Sequence, residues 1–148
     1  MKRGIFLILS VFLVGFFMSC SGGGDDSPSM AALRVLTDPN PINMAADGKF
    51  YYRMTLTEEN GLGVEINRWQ ASYYNADDSL RITIDYTAAN FADWFIDCGG
   101  TGTYIPGGTS RCNDWWYEGE AAYIIVTFFG LDDLGNGIEG SIRLDFIT

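Results

Sequence analysis

Histidine is absent from this chain, and lysine occurs only at Lys2 and Lys49. Without an imidazole, Ser-His-Asp and Cys-His mechanisms are excluded, as are most catalytic zinc centres. Cationic residues are few: 9 Lys and Arg stand against 19 Asp and Glu, for a net charge of −10. A balance of that sign repels nucleic acid and anionic lipid, and no basic stripe interrupts it. No phosphate-cradling loop leads into a helix, because the glycine-rich stretch at residues 99–108 lies between two cysteines and has no lysine. No internal repeat is present. The catalysis left open is carboxylate chemistry, such as glycoside hydrolysis by paired acids, with Glu58, Glu59, Glu65, Glu118 and Glu120 as the residues available. Carboxylates on turns and strand faces more commonly just meet water. The chain is therefore read as non-enzymatic and without a cofactor.

What the chain does have begins at its first residues. Met1-Lys2-Arg3 is a short basic start, residues 4–17 are apolar and uncharged, and Met18-Ser19-Cys20 closes the run. This layout reads as a secretory signal. The run is short for a bilayer-spanning helix of about 20 residues, although an uncleaved anchor is the alternative reading. With a small residue at Ser19 and a cysteine directly after the run, residues 1–20 resemble a bacterial lipoprotein signal. The resemblance implies that residues 1–19 are removed and that Cys20 becomes the lipidated first residue. Ser21 after the cysteine points by analogy to the outer membrane. Residues 20–31 then form the lipidated cysteine and a flexible Gly, Ser, Asp and Pro tether. Residues 32–148 remain as one domain, large enough for one core.

Loss of Lys2 and Arg3 leaves seven basic against nineteen acidic residues, a balance of −12. With Cys20 acylated, Cys98 and Cys112 remain as a pair outside the cytoplasm, where a disulfide is expected. It would close a loop of about 15 residues, worth roughly 3 kcal/mol by chain entropy. Two free thiols, or a metal pair lacking its other ligands, are the alternatives.

The dominant hydrophobic period in the domain is two, the period of a strand. Phe50, Tyr52, Met54 and Leu56 alternate with polar or tyrosine positions; so do Leu80, Ile82, Ile84 and Tyr86, and again Ile142, Leu144 and Phe146. Each set predicts a strand with one face in the core. Residues 123–129 are apolar on both faces, as a central strand requires. Further strands are expected near residues 33–37 and 64–74. Asn and Gly residues punctuate the breaks, where they supply positive φ at low cost. Residues 87–96 lack alternation and predict a helical turn. The pattern predicts an all-β, two-sheet antiparallel sandwich of about seven strands, with one short helical turn near residues 88–96. Residues 55–66 resemble the second-to-third strand turn of bacterial immunoglobulin-like domains, and residues 125–137 are similar to their last hairpin. The resemblance implies an immunoglobulin-like sandwich and leaves function open. Cys98 and Cys112 are placed by this reading in one long connection before the penultimate strand.

That connection, residues 97–120, holds the most suggestive cluster: the cysteine pair, five intervening glycines, and Asn113-Asp114-Trp115-Trp116-Tyr117. Aromatic rings stack on pyranose faces while polar neighbours take hydroxyls, and a stapled loop lowers the ordering cost of binding. Asp114, Trp115, Trp116 and Tyr117 are thus candidate ligand-binding residues for a glycan or peptide. The competing reading is that a tryptophan merely plugs one end of the sandwich; in a strand only one of two neighbours faces inward. Asp132, Asp133 and Asn136 are weak calcium candidates, with a spacing that departs from an EF-hand; no metal is otherwise expected. The membrane, reached through lipid on Cys20, and a glycan or an envelope protein are the expected partners. The first strand or residues 101–105 would offer an edge to an envelope protein.

Overall fold

Strands form where the alternation is strongest, and also in two places where it fails. The computed structural model describes residues 29–148, so the signal segment, Cys20 and most of the tether lie outside the described residues. In chain order the elements are β1 (Leu33–Asp38), β2 (Ile42–Asn43), β3 (Phe50–Glu58), β4 (Val64–Tyr74), β5 (Leu80–Thr87), α1 (Ala88–Trp94), β6 (Tyr104–Ile105), β7 (Ser110–Tyr117), β8 (Tyr123–Asp132) and β9 (Gly137–Ile147). One sheet has the order β1-β3-β7 and is antiparallel throughout. The other has the order β2-β9-β8-β4-β5, with β6 pairing onto the start of β4. No helix among the described residues is long and apolar enough to cross a membrane.

This arrangement is an immunoglobulin-like β-sandwich. Its first, second and fifth long strands (β1, β3, β7) form one sheet, and its third, sixth and seventh (β4, β8, β9) lie side by side in the other. The expected seven strands become nine through two short pairings: β2 runs parallel to the end of β9, and β6 covers β4 at Val64 and Glu65. The sandwich is therefore not wholly antiparallel.

The inward rows follow the period of two. Phe50, Met54 and Leu56 of β3 face Ile124, Val126 and Phe128 of β8 across the core. In β4 the parity changes partway. A bulge between Ile66 and Arg68 sets two steps of β4 against one of β8, so that Val64 and Ile66 before it and Trp69 and Ala71 after it are all buried. Helix α1 is started by a capping box: Thr87 Oγ1 accepts from the Asn90 amide while Asn90 Oδ1 accepts from the Thr87 amide. It drives Phe91, and Phe95 just after it, fully into the core against Phe128. Each such phenylalanine contributes about 1.5–3 kcal/mol of burial.

Two expectations need correction. Residues 97–120 are not one connection, since Ser110–Tyr117 pairs along β3 as a full strand. In β5, Leu80, Ile82 and Ile84 are not core residues; Ile82 is 54% exposed. They alternate as in a half-buried strand, but the sheet that would cover them has only three strands, and β5 lies beyond its reach.

Candidate functional site

The overhang of β5 leaves an opening between the sheets, and the side chains around it are mostly aromatic. Strand β4 supplies Trp69 and Tyr73, β3 supplies Tyr52, and β7 supplies Trp115 and Tyr117. Tyr86 of β5 and Trp94 of α1 close the side toward the helix. Trp69 is the centre: Tyr86 stacks on it at 3.9 Å between ring centroids, and Trp94 and Trp115 meet it edge-on at 5.8 Å each. These rings enclose a cavity of about 190 Å³. An apolar cavity of about 150 Å³ holds one benzene-sized ring, so this one admits a single ring.

The polar atoms of the cleft are neutral. Burial, reinforced by the neighbouring tyrosines, pushes the Tyr52 and Tyr73 phenols well above the ordinary tyrosine range, so both keep their protons at neutral pH. Trp69 Nε1 and Trp115 Nε1 are buried without a hydrogen-bond partner. An indole N–H in that position loses its water and gains nothing in return. No residue lining the cleft is charged, and none carries an aliphatic hydroxyl, thiol or carboxylate. The arrangement can stack a ring and donate hydrogen bonds to it; it holds no nucleophile and no acid–base pair.

The four residues singled out from sequence part company. Trp115 and Tyr117 face inward and line the cleft, with Tyr117 5.8 Å from Tyr73 between centroids. Trp116 points the other way, 56% exposed, with Lys49 Nζ 4.2 Å above its ring, and reaches only the rim. Asp114 lies on the outer face, where Arg53 Nε and Nη2 donate to its two carboxylate oxygens at 2.7 and 2.8 Å. That pairing holds the Asp114 carboxyl below its ordinary value and occupies the group expected to take ligand hydroxyls. Trp115, Trp116 and Tyr117 therefore do not form one flat platform, and they sit on a strand rather than on a loop. Trp69, Tyr73, Tyr86, Tyr52 and Trp94 were missed as site residues, because each reads individually as core or as the polar face of a strand.

The cysteines do pair: Cys98 and Cys112 form a disulfide with Cα atoms 5.3 Å apart. It ties the loop after α1 to the free edge of β7, where the Asp97 amide also donates to the Cys112 carbonyl at 3.2 Å. The stapled object is thus a loop fixed to a strand, not a loop closed on itself.

The weak calcium candidates serve the last hairpin. The Asp132 carboxylate accepts from the amides of Ala31, Leu134 and Asn136 and from Asn136 Nδ2. Asp133 accepts from the Gly63 amide and the Tyr104 hydroxyl. Carboxylates surrounded by donors are capping a turn rather than awaiting a cation. Among the described residues no three His, Cys, Asp or Glu side chains gather as a metal site. The acids considered for catalysis are dispersed: Glu58 is locked by backbone amides, Glu59 pairs with Arg34, Glu65 accepts from Thr103, and Glu120 pairs with Arg81.

No protein-family model matches this chain, and neither does any curated protein. Solved structures are similar in fold. A Bordetella pertussis protein assigned as ApaA matches with a TM-score of 0.53 at 8% identity, over 79% of this chain and 95% of that one. A structural genomics target matches with a TM-score of 0.48 at 13% identity, over 80% and 88%. The CARDB domain of the PF1109 protein from Pyrococcus furiosus, solved in complex with di-metal ions, gives 0.35 at 6% identity, over 79% and 87%. The first is a likeness of fold alone, and the other two are too distant to bear an argument.

Proposed function

We infer that this chain is a membrane-anchored extracytoplasmic lipoprotein whose sandwich is a non-enzymatic binding domain, and that its aromatic cleft receives one uncharged ring. The observation that carries this reading is the cleft itself: aromatic walls, protonated phenols and two unpartnered indole N–H groups around a space of about 190 Å³. A pyranose unit of a glycan answers these features, with its apolar face on an indole and its oxygens as acceptors. The lipid on Cys20 would hold the domain at the cell envelope, probing glycans there or beyond, and the acidic charge would keep it off the membrane surface.

A second reading, an accessory subunit docking an envelope protein, is favoured by one observation. Leu80, Ile82 and Ile84 expose an apolar row on the edge strand β5, next to the mouth of the cleft. An extended partner segment pairing there would place an aromatic side chain at the mouth.

Titration of intrinsic tryptophan emission with neutral oligosaccharides, and separately with tyrosine- or tryptophan-containing peptides, tests both. Saturable change with an oligosaccharide that is lost in Trp115→Ala supports the glycan reading, and a response to peptides alone moves the assignment to a protein partner. Unchanged emission across both panels removes the cleft as a binding site.

A further inference from the structure

Arg111 takes no part in the aromatic cleft, and its surroundings are unusual for a cation. It lies on β7 in register with Leu56 and is 3% exposed. Its Nη2 donates to the carbonyls of Thr101 and Tyr104, the latter at 2.8 Å. Nε and Nη1, which carry three of the five N–H groups of a guanidinium, are buried without partners. Arg111 is also absent from the ion pairs among the described residues. Two acids of neighbouring strands are engaged elsewhere: Glu58 with backbone amides including that of Gly108, Glu65 with the Thr103 hydroxyl. Burial disfavours the charged form of Arg111, yet a guanidinium does not give up its proton in a protein. Buried charges are ordinarily paired, and this one has two carbonyl partners but no acidic one among the described residues.

A cavity of about 370 Å³ opens beside it, with Cys98, Gly99, Gly100, Thr101 and Tyr104 among its walls and no carboxylate in its lining. The amides of residues 98–102 donate to no protein acceptor among the described residues. Gly99 has φ +81°, a conformation that favours glycine. At Gly100 a Cβ would overlap Arg111 Nη1, so only glycine lets the loop lie against the guanidinium. The disulfide holds this loop in place, because Cys112 follows Arg111 directly on β7.

We propose that this cavity is an oxyanion site, in which Arg111 and the amides of the Gly99 to Thr101 loop hold a carboxylate, sulfate or phosphate group. Ionised oxygens satisfy guanidinium and backbone N–H donors together, with short charge-assisted bonds. The net charge of −10 repels anions in general, so capture here reports a local device rather than diffuse attraction.

The test is amide and guanidinium NMR of the full chain in nonionic detergent. Sodium acetate, sulfate and phosphate are titrated against sodium chloride at matched ionic strength. Saturating shifts of Gly99, Gly100, Thr101 and the Arg111 Nε–H, absent with chloride, are expected at millimolar concentrations. Saturation by acetate alone marks a planar carboxylate, and saturation by sulfate or phosphate marks a tetrahedral group; either sustains the proposal. Gly100→Ala crowds Nη1 while keeping the charge, and should raise the midpoint at least tenfold; Arg111→Gln should abolish saturation. Linear drift with every salt, or midpoints unchanged in these variants, overturns it.

Discussion

Truncating Trp115 removes a ring that touches Trp69, Trp94 and Phe95. Trp115→Ala should therefore cost about 3 kcal/mol, the lower end for a buried tryptophan because the residue is only half-buried. Trp116→Ala removes an exposed ring held by one lysine, and should stay below about 1 kcal/mol. Urea unfolding followed by far-ultraviolet circular dichroism checks both without relying on the deleted fluorophore; equal losses would mean that β7 is turned over. Glu58 couples stability to pH. Burial raises its pKa, but the amides of Gly108, Asn60, Ala32 and Gly61 outweigh that and leave it below its ordinary 4.5. Asp132 is likewise lowered from 3.8, burial being outweighed by Asn136, Ala31 and Leu134. A carboxyl whose folded pKa is depressed contributes stability that is complete above the unfolded pKa and is lost as pH falls through the folded one. The melting temperature should thus hold from about pH 8 to pH 5 and fall below about pH 4.5. Glu58→Gln should lower it at neutral pH and flatten that fall; a variant tracking the wild type at every pH would remove Glu58 from this role.

At the scale of elements, what was legible followed from whether a strand's inward row is apolar. Phe50, Met54 and Leu56 announce β3, and Leu144 announces β9, because the core takes every second residue. The inward row of β7 is Arg111, Asn113, Trp115 and Tyr117, polar at two positions of four, so no alternation survives and the strand reads as a loop. Its partner β3 lies more than fifty residues upstream, which no local pattern reveals. β5 fails oppositely: its alternation is clear, but burial depends on how many strands the facing sheet has. The cleft was half-legible for the same reason. Two adjacent tryptophans drew attention to residues 115 and 116, whereas Trp69, Tyr86 and Trp94 become a site only when three elements converge. The Cys98–Cys112 disulfide acts between elements. It pins the loop after α1 to an edge strand, and opening it by Cys98→Ser with Cys112→Ser frees a loop of 14 residues' separation, at an expected loss of about 3 kcal/mol. Urea midpoints of wild type and double variant measure it; an unchanged midpoint would mean that the hydrogen bonds of β7 fix the loop without the staple.

For the whole molecule, charge and anchoring act together. The full chain carries a net charge of −10, and with the signal removed as proposed it would hold seven basic against nineteen acidic residues; an anionic bilayer repels such a charge, so the domain would stay near one only through the lipid proposed on Cys20. Dual acylation holds because each buried methylene adds about 0.8 kcal/mol, whereas a single chain binds only marginally. Cys20→Ser should therefore release the domain from the membrane fraction, and its melting temperature should stay unchanged if residues 20–31 are the tether that their composition predicts. Protease treatment of intact cells then sets the face. Cleavage of the native chain from outside, with Cys20→Ser lost to the medium, would put the cleft before external glycans. Protection until the outer membrane is breached would put it in the periplasm, where the apolar row of β5 meets envelope proteins and the protein-partner reading gains. Retention of Cys20→Ser in the membrane fraction would contradict lipid anchoring itself and point to the uncleaved apolar segment as the anchor.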